Sequence, residues 1–232
     1  MIATKKAPGE RQAPKDVGTC PAEGRLLKLP ERNGEPSALT EFGGDTEGIC
    51  RMLAAFVPLS GYVAPVGRAV RILNVGCGLF LEARALAEYF GGGFCPEMVG
   101  IDINPSTVRT ARETLERREP ILSKATGMVV GDATELVLYP QIPDKVDVVM
   151  LRHHQIIEDS EKWTAIFEQS LGRLSEEGIM ILTSFTDIEN EMVLGTLGRL
   201  KCEVVVSERN RDSTPFMMGL HFDGYVTIAK RR

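Results

Sequence analysis

Apolar positions along the chain follow two rhythms. Residues 70–75, 98–103, 127–130, 146–151 and 179–183 are short runs dominated by Val, Ile, Leu and Met, the pattern of strands buried on both faces. Between them, apolar residues return at three- and four-residue intervals, as one face of a helix requires. Leu81, Ala85, Leu86 and Tyr89 follow the first strand. Val108, Ala111 and Leu115 follow the second, behind Asn104 as N-cap and Pro105 at the first helical position. Trp163, Ile166, Phe167, Leu171 and Leu174 follow the fourth, with Asp159 or Ser160 as cap and Gly178 as the stop. Met192, Val193, Leu197 and Leu200 mark a helix after the fifth. An earlier helix opens at Asp45, carries Ile49, Met52, Leu53 and Phe56, and ends at Pro58. The last two strands, 203–206 and 225–228, have no helix between them.

Strands alternating with helices predict right-handed crossovers and a mostly parallel sheet covered on both faces. The final pair predicts an antiparallel hairpin at one edge. The expected fold is therefore α/β: a doubly wound, Rossmann-like, seven-stranded sheet with an antiparallel C-terminal hairpin strand.

Composition narrows the picture further. The 232 residues are 43% hydrophobic and 25% charged, which is enough apolar material for one globular domain and excludes disordered and collagen-like classes. Residues 1–40 carry five of the prolines and seven basic against five acidic side chains, so they read as a slightly basic tail or cap. The domain proper is expected over 41–232, and its share of the net charge of −5 is more acidic than the whole. No apolar run reaches membrane-spanning length and none follows the N-terminus as a signal peptide would, so no membrane partner and a cytoplasmic location are expected. The five cysteines are scattered, without a Cys-x-x-Cys pair, which argues against a disulfide framework and against a metal site. The acidic balance and the interleaved Arg and Glu of residues 109–119 speak against a nucleic-acid partner. Oligomeric state is not legible.

In an open α/β sheet, ligands bind beyond the carboxyl ends of the strands, where strand order reverses. Four polar signals fall at such ends. Gly76-Cys77-Gly78 allows a tight turn and close backbone approach. Asp102 can accept two hydrogen bonds from a ribose diol. Asp132 ends the third strand, and Arg152-His153-His154 ends the fourth. A nicotinamide fingerprint would need a third glycine where Leu81 stands.

With Asn74-Val75-Gly76-Cys77-Gly78, Gly100-Ile101-Asp102 and Gly131-Asp132-Ala133 in this order, the chain from about residue 70 resembles the class I S-adenosylmethionine-dependent methyltransferases. The resemblance implies S-adenosylmethionine as cofactor. Gly76, Cys77 and Gly78 would approach its methionine part, Asp102 would hold the ribose, and Ile103 would pack on the adenine. Asp132 and the Ala133 N–H would bind the ring edge, and Leu151 and Arg152 would border the methionyl group and the reacting methyl. Two positions depart from the family pattern: Asn74 stands where an acidic residue is usual, and Phe80 where a third glycine is usual. Asn74 retains a carbonyl for the cofactor's amino-acid portion.

A methyl acceptor that must lose a proton needs a base, and His153 and His154 are the catalytic candidates beside the expected methyl position. His221 lies in the last loop, as do Phe216, Met217 and Met218, which serve either as an apolar lid or as core. The expected activity is methyl transfer to an O- or N-nucleophile of a small organic acceptor. A macromolecular acceptor (RNA or protein) and a non-catalytic or other-group-transferring member of the fold are the alternatives.

Overall fold

A computed structural model describes residues 46–213 and 222–232. The tail over 1–40, the Asp45 cap, Phe216, Met217, Met218 and His221 lie outside the described residues. The strands are β1 (Arg71–Val75), β2 (Glu97–Asp102), β3 (Thr126–Val130), β4 (Val146–Leu151), β5 (Leu174–Ser184), β6 (Glu203–Arg209) and β7 (Tyr225–Lys230). They form one sheet in the order β3-β2-β1-β4-β5-β7-β6. The first five are parallel, and β7 runs antiparallel to both β5 and β6. The helices are α1 (Thr46–Phe56), α2 (Ala83–Phe90), α3 (Pro105–Arg118), α4 (Pro120–Lys124), α5 (Ser160–Arg173) and α6 (Asp187–Arg199). Among the described residues, no helix is long and apolar enough to cross a membrane.

Successive strand residues point to opposite faces, and the core divides accordingly. Ile72, Val148, Met150, Ile179 and Ile181 pack with α1 and α2 on one face, through Met52, Leu53, Leu86 and Phe90. Leu73, Val149, Leu151, Met180 and Leu182 pack with α5 and α6 on the other, through Phe167, Leu171, Val193 and Leu197. Sequence order reverses between β1 and β4, where Asn74 lies beside Met150. The crevice above this pair is the place for a ligand.

Local chemistry sets the expected start of α3: the Asn104 side chain accepts from the N–H groups of Ser106 and Thr107, and Pro105 follows. Asp159, rather than Ser160, caps α5 by accepting from the Lys162 N–H. Gly178 does not end α5. The helix stops at Arg173, and Leu174 already pairs with Val146 as the start of β5. A β-bulge separates this pair from the main ladder, and a Cβ on Gly178 would stand 3.1 Å from the Asp147 carbonyl oxygen, so glycine serves close strand approach. The C-terminal pair is antiparallel as expected, but its inner strand is β7. The burial of β7 and exposure of β6 match that order: Val226, Thr227, Ile228 and Ala229 are all buried, whereas most of β6 is exposed.

At the opposite ends of the strands, Asp147 is fastened by Arg68, whose two terminal nitrogens donate at 2.6 and 2.7 Å, and by the Arg71 N–H at 2.9 Å. Burial raises the Asp147 carboxyl's proton affinity, but the bonds from Arg68 and Arg71 outweigh it and hold the group below its usual range.

Candidate active site

A cavity of about 470 Å³ opens at the carboxyl ends of β1, β2, β3 and β4. Its walls include Gly76, Asp102, Ile103, Asp132, Ala133, Arg152 and His153 from the expected set, together with Lys162, Trp163 and Ile166 from α5. Gly78 reaches it indirectly by donating its N–H to Asp102 Oδ2 at 2.9 Å. Asn74, Cys77, Leu151 and His154 are buried and do not line the cavity. Burial, helped by Asp102 and Glu82, pushes the Cys77 thiol's pKa up, so it is not a ready nucleophile.

One end of the cavity is built from three short segments. Gly76 holds φ +64°, a conformation that favours glycine, and presents backbone to the crevice below Trp163. Asp102 also accepts from the Asn104 N–H through Oδ1 at 2.9 Å, and each carboxylate oxygen retains a second acceptor position. Ile103 beside it is 59% exposed, an apolar surface suited to one face of a planar ring. Asp132 caps the following 3-10 segment through Oδ1, accepting from the Thr134 N–H. That bond chiefly keeps its carboxyl below the usual pKa range, with a weaker contribution from Lys162 across the crevice. Tyr139 seats this corner: its hydroxyl accepts from the Asp132 N–H at 2.8 Å, and a Cβ at Gly131 would come within 2.3 Å of its Cζ. Anionic acceptors for hydroxyls, an apolar shelf and a glycine turn are the donor and acceptor set an adenosyl group needs, so these residues fit the cofactor.

Phe80, at the departure from the glycine pattern, keeps the backbone form a glycine would take, with φ +51°. Its ring is buried against Gly100 of β2, where a Cβ would approach to 3.0 Å. The left-handed conformation costs a non-glycine residue roughly 1–2 kcal/mol, which burial of the ring offsets.

The other end of the cavity rests on a buried ionic cluster. Arg152 donates to Glu82 Oε1 at 2.6 Å and to both oxygens of Asp223 at 2.9 and 2.6 Å. Glu82 in turn accepts from the Asn74 amide at 3.3 Å. Burial disfavours the Arg152 cation, but Asp223 and Glu82 outweigh it and raise its pKa; Arg152 correspondingly holds Asp223 far below the usual carboxylate range, against burial. Arg152 thus touches the cavity while its charge is already paired. The sequence marked its position, but Glu82 and Asp223, 70 residues before and 71 residues after it, carried no signal of pairing with it.

The two histidines separate. His153 is partly exposed, lines the cavity and stacks on Phe185 at 4.7 Å between ring centroids. His154 is 1% exposed, lies among Trp163, Phe167 and Ser184, and is shifted down to a pKa of about 4 by burial and by His153. Trp163 was legible as an apolar helix position, but its place in the cavity wall depends on where the first turn of α5 meets the end of β4.

Residues 72–178 match the family model of a methyltransferase domain. The chain thus carries a methyltransferase domain over these residues, and its seven-stranded sheet has the Rossmann-like methyltransferase fold. Solved structures with the same fold include a TehB-like S-adenosylmethionine-dependent methyltransferase from Corynebacterium glutamicum, 18% identical over 80% of this chain and 88% of the other, with TM-score 0.54. Magnesium protoporphyrin IX methyltransferase from Synechocystis, with bound cofactor, is 14% identical over 87% of each chain, with TM-score 0.58. Fibrillarin from Aeropyrum pernix, also with bound cofactor, is 18% identical over 78% of this chain and 76% of its own, with TM-score 0.55. No curated protein matches the chain at a significant level.

Proposed function

We propose that this methyltransferase acts on a small organic acceptor through an oxygen or nitrogen nucleophile, with His153 as general base. The observation that carries the reading is the cavity itself: carboxylates at one end suit an adenosyl group, and a partly exposed imidazole stands at the other. When bound, S-adenosylmethionine would supply a sulfonium methyl group to the acceptor's lone pair, with S-adenosylhomocysteine as the neutral thioether leaving group. Asp102 would hold the ribose hydroxyls, Asp132 and the Ala133 N–H would meet the adenine edge, and Gly76 and Gly78 would leave room for the amino-acid part. His153 takes the proton that the acceptor's hydroxyl or ammonium loses. Trp163 and Ile166 give the wall an apolar surface that limits water. Holding reactants aligned accounts for most of the acceleration such a site can supply, about 7–11 kcal/mol. His154, enclosed among aromatic rings, packs rather than reacts.

The test is transfer of labelled methyl from S-adenosylmethionine into separate small-molecule, RNA and protein fractions. Label in the small-molecule fraction, lost in His153→Gln, is expected. Label confined to RNA or protein would overturn the small-acceptor reading, and undiminished transfer by the variant would remove His153 from the reaction.

A further inference from the structure

His153 and Asp223 face each other from different parts of the chain, and both hold left-handed backbone without being glycine, with φ of +55° and +52°. Two such residues in one contact are uncommon, and such conformations persist where surrounding structure over-determines them. His153 Nε2 is buried and stands 3.4 Å from Asp223 Oδ1, in ion-pair range but short of complete hydrogen-bond geometry. The side chain as a whole is 25% exposed, so the part that reaches the cavity is not Nε2, and Nδ1 is the ring's other nitrogen. Phe185 and Phe222 both pack on the imidazole, with centroids at 4.7 and 5.3 Å from it and 5.9 Å from each other. Asp223 is itself immobilised, because Arg152 binds both of its oxygens and is anchored at the far side by Glu82.

We propose that Asp223 is the positioning residue for His153: it holds the imidazole as the Nε2–H tautomer and leaves Nδ1 as the proton acceptor on the side of the cavity. This rests on the reading of His153 as base and deepens it. A small ring rotation completes the Nε2–H to Oδ1 bond. Nδ1 then receives the proton of the acceptor's hydroxyl or ammonium, and the Asp223 carboxylate offsets the imidazolium charge. Arg152 and Glu82 keep that carboxylate ionised and aimed. His154 and Glu189 are the other titratable groups that sense His153 electrostatically.

The two ring tautomers differ in the nitrogen resonances of the imidazole, which gives a readout independent of turnover. The full chain, labelled with ¹⁵N in its three histidines, is measured with the rings neutral, with and without S-adenosylhomocysteine, and His153 is assigned by its loss in His153→Gln. The expected result is the Nε2–H tautomer in the unaltered protein and a mixture of tautomers in Asp223→Ala. An Nδ1–H tautomer or an even mixture in the unaltered protein overturns the proposal, and so does an unchanged Nε2–H tautomer in a folded Asp223→Ala. Should that variant not fold, the unaltered protein alone decides. Methyl transfer that survives His153→Gln would remove the base reading while leaving the tautomer assignment to stand or fall on the spectra.

Discussion

The Gly78 N–H donates to Asp102 Oδ2 at 2.9 Å, joining the turn after β1 to the last residue of β2 across 24 positions of sequence. One carboxylate therefore both shapes the glycine turn and faces the cavity. Asp102→Ala is expected to weaken S-adenosylhomocysteine binding by at least about 1.5 kcal/mol, or roughly tenfold. Trp163, the single tryptophan of the chain, lines the same cavity, so its fluorescence reports the titration. An unchanged affinity would take Asp102 out of the cofactor site.

Arg152 is enclosed between two carboxylates, and removing it strands both. Arg152→Met is expected to lower stability by about 3–5 kcal/mol at neutral pH, measured by urea unfolding. Adding Glu82→Gln and Asp223→Asn to the variant should recover most of the loss, because no buried charge then lacks a partner. A loss below about 1 kcal/mol in the single variant would mean the cluster is hydrated in solution.

These residues show how far the sequence could be read. Asn104-Pro105 and the alternation of strands with helices are local signals, and the structure has them where expected. The strand ends carrying Gly76, Asp102, Asp132 and His153 were legible because topology brings the carboxyl ends of parallel strands together. The pairing of Arg152 with Glu82 and Asp223 depends on contacts between segments that share no pattern. Gly178 was misleading for a different reason: glycine after a helical run commonly marks a C-cap, but here it accommodates a carbonyl of β4. That β7 lies inside β6 follows from burial, which two short β-branched strands do not reveal by composition alone.

His154 is buried with its pKa lowered to about 4 from an ordinary value near 6.5. The unfolded chain binds a proton on this ring more readily than the folded chain does. Stability should therefore fall as pH drops from about 6.5 to about 4 and level off below, by on the order of 3 kcal/mol in total. His154→Phe is expected to remove this slope whatever its effect at neutral pH, as urea unfolding across that range would show. A slope that persists in the variant would assign the effect to another group.

Asp147 has the opposite sign. Its folded-state pKa lies below the ordinary carboxylate value, so its contribution is present above about pH 4 and is lost as acid protonates the folded form. Asp147→Asn should be less stable than the unaltered protein by about 1–3 kcal/mol at neutral pH. The gap should narrow in strong acid. A gap independent of pH would mean that packing, and not the charge held by Arg68, accounts for the difference.

The amide of Asn74 donates to Glu82 at 3.3 Å, and Glu82 is committed to Arg152. An aspartate at position 74 would set a second anion against Glu82, whose guanidinium partner Arg152 already serves two carboxylates. The neutral residue in the glycine motif is therefore tied to the acid at the start of α2. Positions 74 and 82 are thus matched in charge: an acid introduced at the first is expected to cost least when the second is made neutral, and the setting of Arg152 at the cavity wall would change with the pair.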